Sequence, residues 1–309
     1  MSTPHPASPQ ARTTIVLGVI GGSGLYAMPG LERVEKRVVK TPFGDPSGPL
    51  TIGELPRAGG SPALKTVFVA RHGEGHVLLP GEINARANIH ALKQLGCTHV
   101  LSVSAVGSLQ EEIAPGDVVL PRQLIDRTKG RPSTFFGDGV VAHVQFGHPI
   151  DDGLASLLAK ALENEQVRVH DDKTMIVMEG PAFSTRAESN LYRSWGADII
   201  GMTALPEAKL VREAEMAYAV LATSTDYDCW REDEAEVSVD AVLAVLHANV
   251  RVAQRVVTTL AQLMPTQEAS LPYPRALEHA IMTAPHFISA ERRAQLDLIC
   301  GHQLSGTQT

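Results

Sequence analysis

Ala217-Tyr-Ala-Val-Leu-Ala-Thr-Ser-Thr-Asp-Tyr-Asp228 opens on an unbroken apolar run and closes on hydroxyls and two carboxylates. A run of this kind, without apolar/polar alternation, reads as a strand covered on both faces. Its polar residues then stand at the carboxyl end, where open α/β sheets keep their ligand crevice. Further short runs of the same character lie at 15–20, 66–70, 99–103, 117–120, 175–178 and 198–200, each followed by a polar or glycine-bearing turn.

Helical spacing falls between and after these runs. Residues 80–95 repeat Ile83, Ala87, Ala91 and Leu95 every fourth position before Gly96, and 151–165 set Leu154, Leu157, Leu158, Ala161 and Leu162 on one face. The longest stripe follows Ser238, a fitting N-cap, and carries Val239, Val242, Leu243, Leu246, Val250, Ala253, Val257 and Leu260 before stopping at Pro265. Strand and helix alternate without an internal linker, which predicts one α/β domain over residues 14–264. Residues 1–13, proline-bearing and without an apolar run, read as a disordered tail and as neither signal peptide nor anchor. Residues 265–309 are punctuated by Pro265, Pro272, Pro274 and Pro285. They read as a C-terminal appendage with one short helix near 291–299, packing on the domain or on a neighbouring subunit.

Lys and Arg total 27 against 34 Asp and Glu, a formal charge of -7. That balance argues against nucleic acid or an anionic membrane as partner. Cys97, Cys229 and Cys300 are too scattered for a disulfide framework or zinc knuckle, so a reducing cytoplasm is expected. No uncharged stretch approaches the ~18 apolar residues of a membrane span.

The strand ends carry the chemistry: Gly21-Gly-Ser-Gly24, Arg71-His-Gly73, Ser104-Ala-Val-Gly107, Glu179-Gly-Pro181, Gly201-Met-Thr203 and Thr223 to Asp228. Converging, they offer hydroxyls, glycine-turn amides and one Arg, a donor set suited to an oxyanion such as phosphate. An Arg directly after a buried strand needs an anionic partner. Asp226 and Asp228 suit a base nitrogen or hydroxyl of an organic substrate. Each piece has a plainer reading: the glycine turn as a tight turn, the aspartates as a turn capping the next segment, Met202 as core filler, Trp230 with the acidic 232–236 run as a solvated loop. His72 and His76 flank glycines and do not form a helical metal pair, so no metal is expected.

Taken in order from 15 to 264, these segments resemble the trimeric purine nucleoside phosphorylase family. The match rests on Ile20-Gly-Gly-Ser-Gly-Leu25, Ala70-Arg-His-Gly73, Ala105-Val-Gly-Ser-Leu109, Glu179-Gly-Pro181, Met202-Thr203 and Thr225-Asp-Tyr-Asp-Cys-Trp230. The resemblance implies a single domain with a mixed central sheet flanked by helices, working as a homotrimer. It implies a phosphate site at Ser23, Arg71, His72, Ser104, Thr203 and the Ala105 backbone amide. Met202 then lies under the sugar, Phe183 lines the purine, Asp226 and Asp228 face its N7/N6 edge, and His143 enters a neighbouring subunit's site. Inorganic phosphate is the co-substrate, and no cofactor is implied. Members acting on 6-oxopurines carry Asn in place of Asp226 and an acid in place of Ser184, and members that need a 5′-hydroxyl carry His in place of Val239. With Val239, Val242 and Leu243 making an apolar 5′ pocket, the implied reaction is phosphorolysis of S-methyl-5′-thioadenosine to adenine and 5-methylthioribose 1-phosphate, a step of purine and methionine salvage. The alternatives are methylthioinosine or an ordinary purine nucleoside such as inosine or guanosine.

Overall fold

The computed structural model describes residues 13–22, 24–25, 28–231, 239–268 and 276–305, without the side chains of 239–247, 268 and 305. Strand β10 (Ala217–Asp226) is buried up to its last residue because both of its edges are covered. On one side β6 (His99–Ser108) runs parallel to it, from Ala217↔His99 to Asp226↔Gly107. On the other, β7 (Val118–Arg127) pairs antiparallel through Ala222↔Val119 and Thr223↔Val118.

From β7 the sheet continues in parallel to β8 (Val169–Met178) and then to β9 (Ile199–Gly201). Strand β9 returns to the far end of β6, antiparallel, through Gly107↔Ile200 and Ser108↔Ile199. These strands close on themselves. The near half of β6 pairs instead with β2 (Leu17–Gly21), which leads outward through β5 (Leu64–Ala70) and β4 (Leu50–Leu55) to β3 (Glu32–Arg37). The sheet is therefore mixed, as the family resemblance implies. Its outer edge, β3, is exposed throughout and reads Glu-Arg-Val-Glu-Lys-Arg, a charged edge that discourages further pairing. A separate short pair joins β1 (Thr13–Thr14) to β11 (Gln267–Glu268).

Helices α1 (Ala85–Gln94) and α2 (Asp152–Leu162) start where the Asn84 and Asp151 side chains accept the Ala87 and Leu154 amides. Helix α5 (Val239–Leu263) lies along the predicted stripe, with Ala253, Val257 and Leu260 buried. Two helices were not expected. Helix α3 (Arg186–Ser194) buries only Ser189 and Tyr192 and so lacks an apolar stripe, although Thr185 and Glu188 form a capping box. Helix α4 (Ala204–Glu213) contains Pro206 near its start and buries Glu207, Arg212 and Glu213, charges that conceal it from a hydrophobicity reading.

Strands β3 and β4 were also unexpected, the first because it buries nothing. Both β6 and β10 run further than the apolar runs, so Ser104 and the hydroxyls at 223–225 lie within strands rather than in turns after them. Mutual pairing to Asp226↔Gly107 supplies their backbone partners. Residues 276–305 pack on this chain's own core: Leu277, Ala280, Ile288, Leu296, Ile299 and Cys300 join the central apolar cluster. Within α6 (Ala290–Ser305), Arg292 donates to the Phe135 carbonyl at 2.6 Å.

Candidate active site

Strand β6 serves as a ruler for the site. Ser102 marks one end, Ser104 the middle and Gly107 the other end, about 16 Å away at ~3.3 Å per residue. Three groups of side chains meet it at those points.

At Ser102 lies Arg71, the residue after β5, whose side chain is 3% exposed. Its guanidinium donates to Glu207 Oε1 at 2.5 Å and Oε2 at 3.1 Å, to Ser102 Oγ at 2.6 Å and to the Val103 carbonyl at 3.1 Å. The anion that the sequence demands for Arg71 is thus present within the chain, on α4. Burial works against the Arg71 charge, but the adjacent Glu207 carboxylate prevails and holds its pKa above the ordinary arginine value. Ser102 and Tyr218 hydroxyls donate to the same carboxylate at 3.1 and 3.3 Å. Next to Arg71, His72 donates from Nδ1 to the Leu78 carbonyl at 2.8 Å and stacks on His76. Burial pushes the His72 pKa down to about 4, so the ring is neutral at pH 7 and Nε2 carries a lone pair.

At the middle, Ser104 Oγ lies 3.4 Å from Thr203 Oγ1, and Ala105 is the one exposed residue in the first eight of β6. Thr203 ends the β9–α4 link, so hydroxyls from two strand ends face one point. Met202 packs against Gly180 so closely that a Cβ there would lie 2.6 Å from the Met202 sulfur. Only glycine, at φ +70°, fits.

At the far end are the aspartates. Asp226 accepts the Asp228 amide at 2.8 Å and the Thr225 hydroxyl at 2.7 Å. The turn reading holds: Asp226 closes an Asx turn across to Asp228, which sits at φ +53°. Both carboxyls are pushed above the usual carboxylate range by burial, and Asp228 further by the Asp226 charge beside it. Gly107 leaves room for the pair, since a Cβ there would lie 3.0 Å from Asp226 Oδ1 and 3.4 Å from Asp228 Cβ.

Ser184 stands near the aspartates: its carbonyl accepts the Cys229 thiol at 3.1 Å, and its hydroxyl lies 3.6 Å from the Met178 sulfur. Phe183, beside it, is 51% exposed. Trp230 corrects the expectation of a solvated loop. Its indole donates to the Ser108 carbonyl at 2.9 Å, and Arg193 lies 3.6 Å from its ring centre. His143 is not with the strand ends. It is exposed on a ribbon with the C-terminal segment, where its amide bonds the Ala280 carbonyl at 2.9 Å and Ala142 bridges Ile281. Ser23 and the side chains of Val239, Val242 and Leu243 lie outside the described residues, as does the tail over 1–12.

Glu207, which holds Arg71, was absent from the sequence reading, as was Arg131, whose guanidinium donates to the Met202 and Glu179 carbonyls. Among the described residues, no group of three or more His, Cys, Asp and Glu side chains is arranged to hold a metal, and no helix is long and apolar enough to cross a membrane.

A closed ring of mixed strands with an anion-suited end and a carboxylate end is a nucleoside phosphorylase arrangement. Residues 16–262 match the model of the phosphorylase superfamily, and the chain belongs to that superfamily. The S-methyl-5′-thioadenosine phosphorylase of Geobacter sulfurreducens is 52% identical over 287 residues, covering 93% of this chain and 98% of its own. A crystal structure of methylthioadenosine phosphorylase from an antarctic soil metagenomic library superposes with a TM-score of 0.84 at 44% identity, over 93% of this chain and 99% of its own. A variant of the adenosine/methylthioadenosine phosphorylase of Schistosoma mansoni, in complex with methylthioadenosine, superposes with a TM-score of 0.73 at 36% identity, over 81% of this chain and 91% of its own.

Proposed function

We propose that this chain catalyses phosphorolysis of S-methyl-5′-thioadenosine to adenine and 5-methylthioribose 1-phosphate, without metal or organic cofactor. The observation that carries the reading is the spacing along β6, with arginine and hydroxyls at one end and a raised-pKa carboxyl at the other. Substrates named for relatives sharing half their residues support it.

In this reading phosphate sits among Ser23, Arg71, His72, Ser104, Thr203 and the Ala105 amide. Neutral His72 accepts at Nε2 from the hydroxyl of hydrogen phosphate, and Arg71, whose other donors hold Glu207, Ser102 and the Val103 carbonyl, offers its remaining Nη1 hydrogen to a second phosphate oxygen. The sugar lies on Met202, and the purine lies between Phe183 and the aspartates. The C1′–N9 bond breaks with its electron pair passing to the purine, and the resulting cationic sugar is stabilised by the phosphate dianion, which then bonds C1′ from the opposite face. Asp226 gives its proton to N7 of the departing adenine and regains one from solvent. Burial raises the Asp226 pKa, so the carboxyl keeps its proton to higher pH than a surface one and is fitted to that transfer, worth roughly 10²–10⁴-fold.

The resemblance assigns the apolar residues Val239, Val242 and Leu243 to the 5′ group and Ser184 to the base, an assignment that favours the methylthio and 6-amino groups. His143 reaches a neighbouring subunit in a homotrimer. Free Cys97, Cys229 and Cys300 suit a reducing cytoplasm.

The test is adenine release from S-methyl-5′-thioadenosine with and without inorganic phosphate, beside methylthioinosine and inosine. Release that needs phosphate and is fastest with the 6-amino thioether is expected. Equal release without phosphate would mean a hydrolase, and preference for inosine would move the chain to another nucleoside.

A further inference from the structure

We propose that Arg131 is a positioning residue for this reaction, cross-linking the strand ends that carry the sugar floor and the phosphate hydroxyl. This rests on the assignment of Met202 to the sugar and Thr203 to phosphate.

The ladder between β8 and β9 ends at Val177↔Gly201. Beyond it the two segments, Met178-Glu179-Gly180 and Met202-Thr203, have no ladder pair between them. Arg131, four residues past the end of β7, takes over. Its Nη1 donates to the Met202 carbonyl at 2.6 Å and the Leu205 carbonyl at 3.1 Å. Its Nη2 donates to the carbonyls of Glu179 and, at 3.5 Å, Met178. Its Nε faces both Glu179 carboxylate oxygens, at 3.1 and 3.0 Å. A guanidinium has five N–H donors in a planar fork, and here every one is committed across the gap.

Three facts make this more than a buried ion pair. The Arg131 side chain is 5% exposed, so its donors have few alternatives in water. Glu179 is held from its other side by the Lys129 amide at 2.7 Å, which fixes the clamp to the strand that precedes it. Arg131 also shares with Thr203 and Glu207 the wall of a cavity of about 10 Å³, which sets it close to the residue assigned the phosphate hydroxyl and to the residue that holds Arg71. The Met202-Thr203 segment is therefore gripped through its backbone, at Met202 O and Leu205 O on either side of Thr203. Displacement of such groups by about 1 Å costs on the order of 10²-fold in rate.

The experiment compares Arg131→Lys and Arg131→Ala with the parent, measuring kcat and both KM values by adenine release, with and without added guanidinium or ammonium salts. Lysine keeps the charge but cannot span both strand ends. The expected result is a rise of about tenfold or more in KM for phosphate and for the nucleoside in both variants, with guanidinium, and not ammonium, restoring Arg131→Ala. A purely structural role lowers the folded, active fraction and hence kcat, while surviving molecules keep the parent KM values. Both KM values within threefold of the parent would overturn the proposal. Should neither variant fold, Glu179→Gln, on a partly exposed side chain, decides: a nucleoside KM raised severalfold supports the clamp and an unchanged one overturns it. Thr203→Val separates the two levels of argument. If it leaves the phosphate KM unmoved, the site assignment fails; if it moves that KM while the Arg131 variants do not, only the clamp fails.

Discussion

Replacing Asp226 by Asn separates the proton from the shape that holds it. Asp226 accepts from the Asp228 amide and from Thr225 Oγ1. An asparagine meets both neighbours if its oxygen faces the Asp228 amide and its nitrogen donates to Thr225 Oγ1. The Thr225 proton is then free for the Val106 carbonyl, 3.2 Å away. The fold should therefore lose about 1 kcal/mol or less. The chemistry should lose far more, since acid assistance of roughly 10²–10⁴-fold corresponds to about 3–5 kcal/mol of barrier. The assay is kcat for adenine release at saturating phosphate, paired with a thermal melt of the same sample. A kcat at least 10²-fold lower with a nearly unchanged Tm is expected, together with a relative gain on methylthioinosine, whose O6 can accept from the new amide. Because burial raises the Asp226 pKa, the parent keeps its active proton to higher pH than a surface carboxyl would, and kcat falls as pH climbs through that raised value. The variant should show no such fall. A kcat within threefold of the parent would refute the acid role.

Arg71→Lys keeps a charge but cannot hold Glu207 at two points together with Ser102 and the Val103 carbonyl. The phosphate KM should rise at least about tenfold, and chemical denaturation should show a loss on the order of 3 kcal/mol. Gly107→Ala places a methyl 3.0 Å from Asp226 Oδ1 and 3.1 Å from Ile200, so the aspartates must shift. A kcat/KM about 10²-fold lower with Tm down only a few degrees is the expected pattern. Glu213 supplies a pH test of stability. Burial lifts its pKa from 4.5 to about 7, although Thr134 and the Phe135 amide donate to it. Between those values the folded chain holds a proton that the unfolded chain has released, so stability falls as pH rises from about 4.5 to about 7, by on the order of 3 kcal/mol. Glu213→Gln should flatten that part of a Tm-against-pH curve, and an unaltered slope would assign it to other groups.

The buried strands were legible because burial on both faces leaves unbroken apolar runs, as in 217–222. Their true ends were not, because Ser104 and Thr223 to Thr225 look like turn residues until β6 and β10 are seen to pair through them. Strand β3 left no hydrophobic trace, being exposed on both faces. Within the site, residues at strand ends were found because topology makes those positions informative. Glu207 and Arg131 were not, since nothing local marks either: Glu207 holds Arg71 from 136 positions away, and Arg131 meets Glu179 from 48 positions away. Trp230 was misread for a similar reason: the Arg193 and Ser108 that anchor it come from distant parts of the chain.

Strand β6 is shared by the closed ring and the open wing, and this makes its length unusually unforgiving. A residue gained or lost between Ser104 and Gly107 would reverse which side chains point up and which point down beyond that position. The Ser104 hydroxyl and the Gly107 gap, three positions apart and so on opposite faces of the strand, would then share one face, and the neighbours that now meet each of them would no longer do so. Evolution can lengthen the loops around such a cleft freely, but here it must work by substitution.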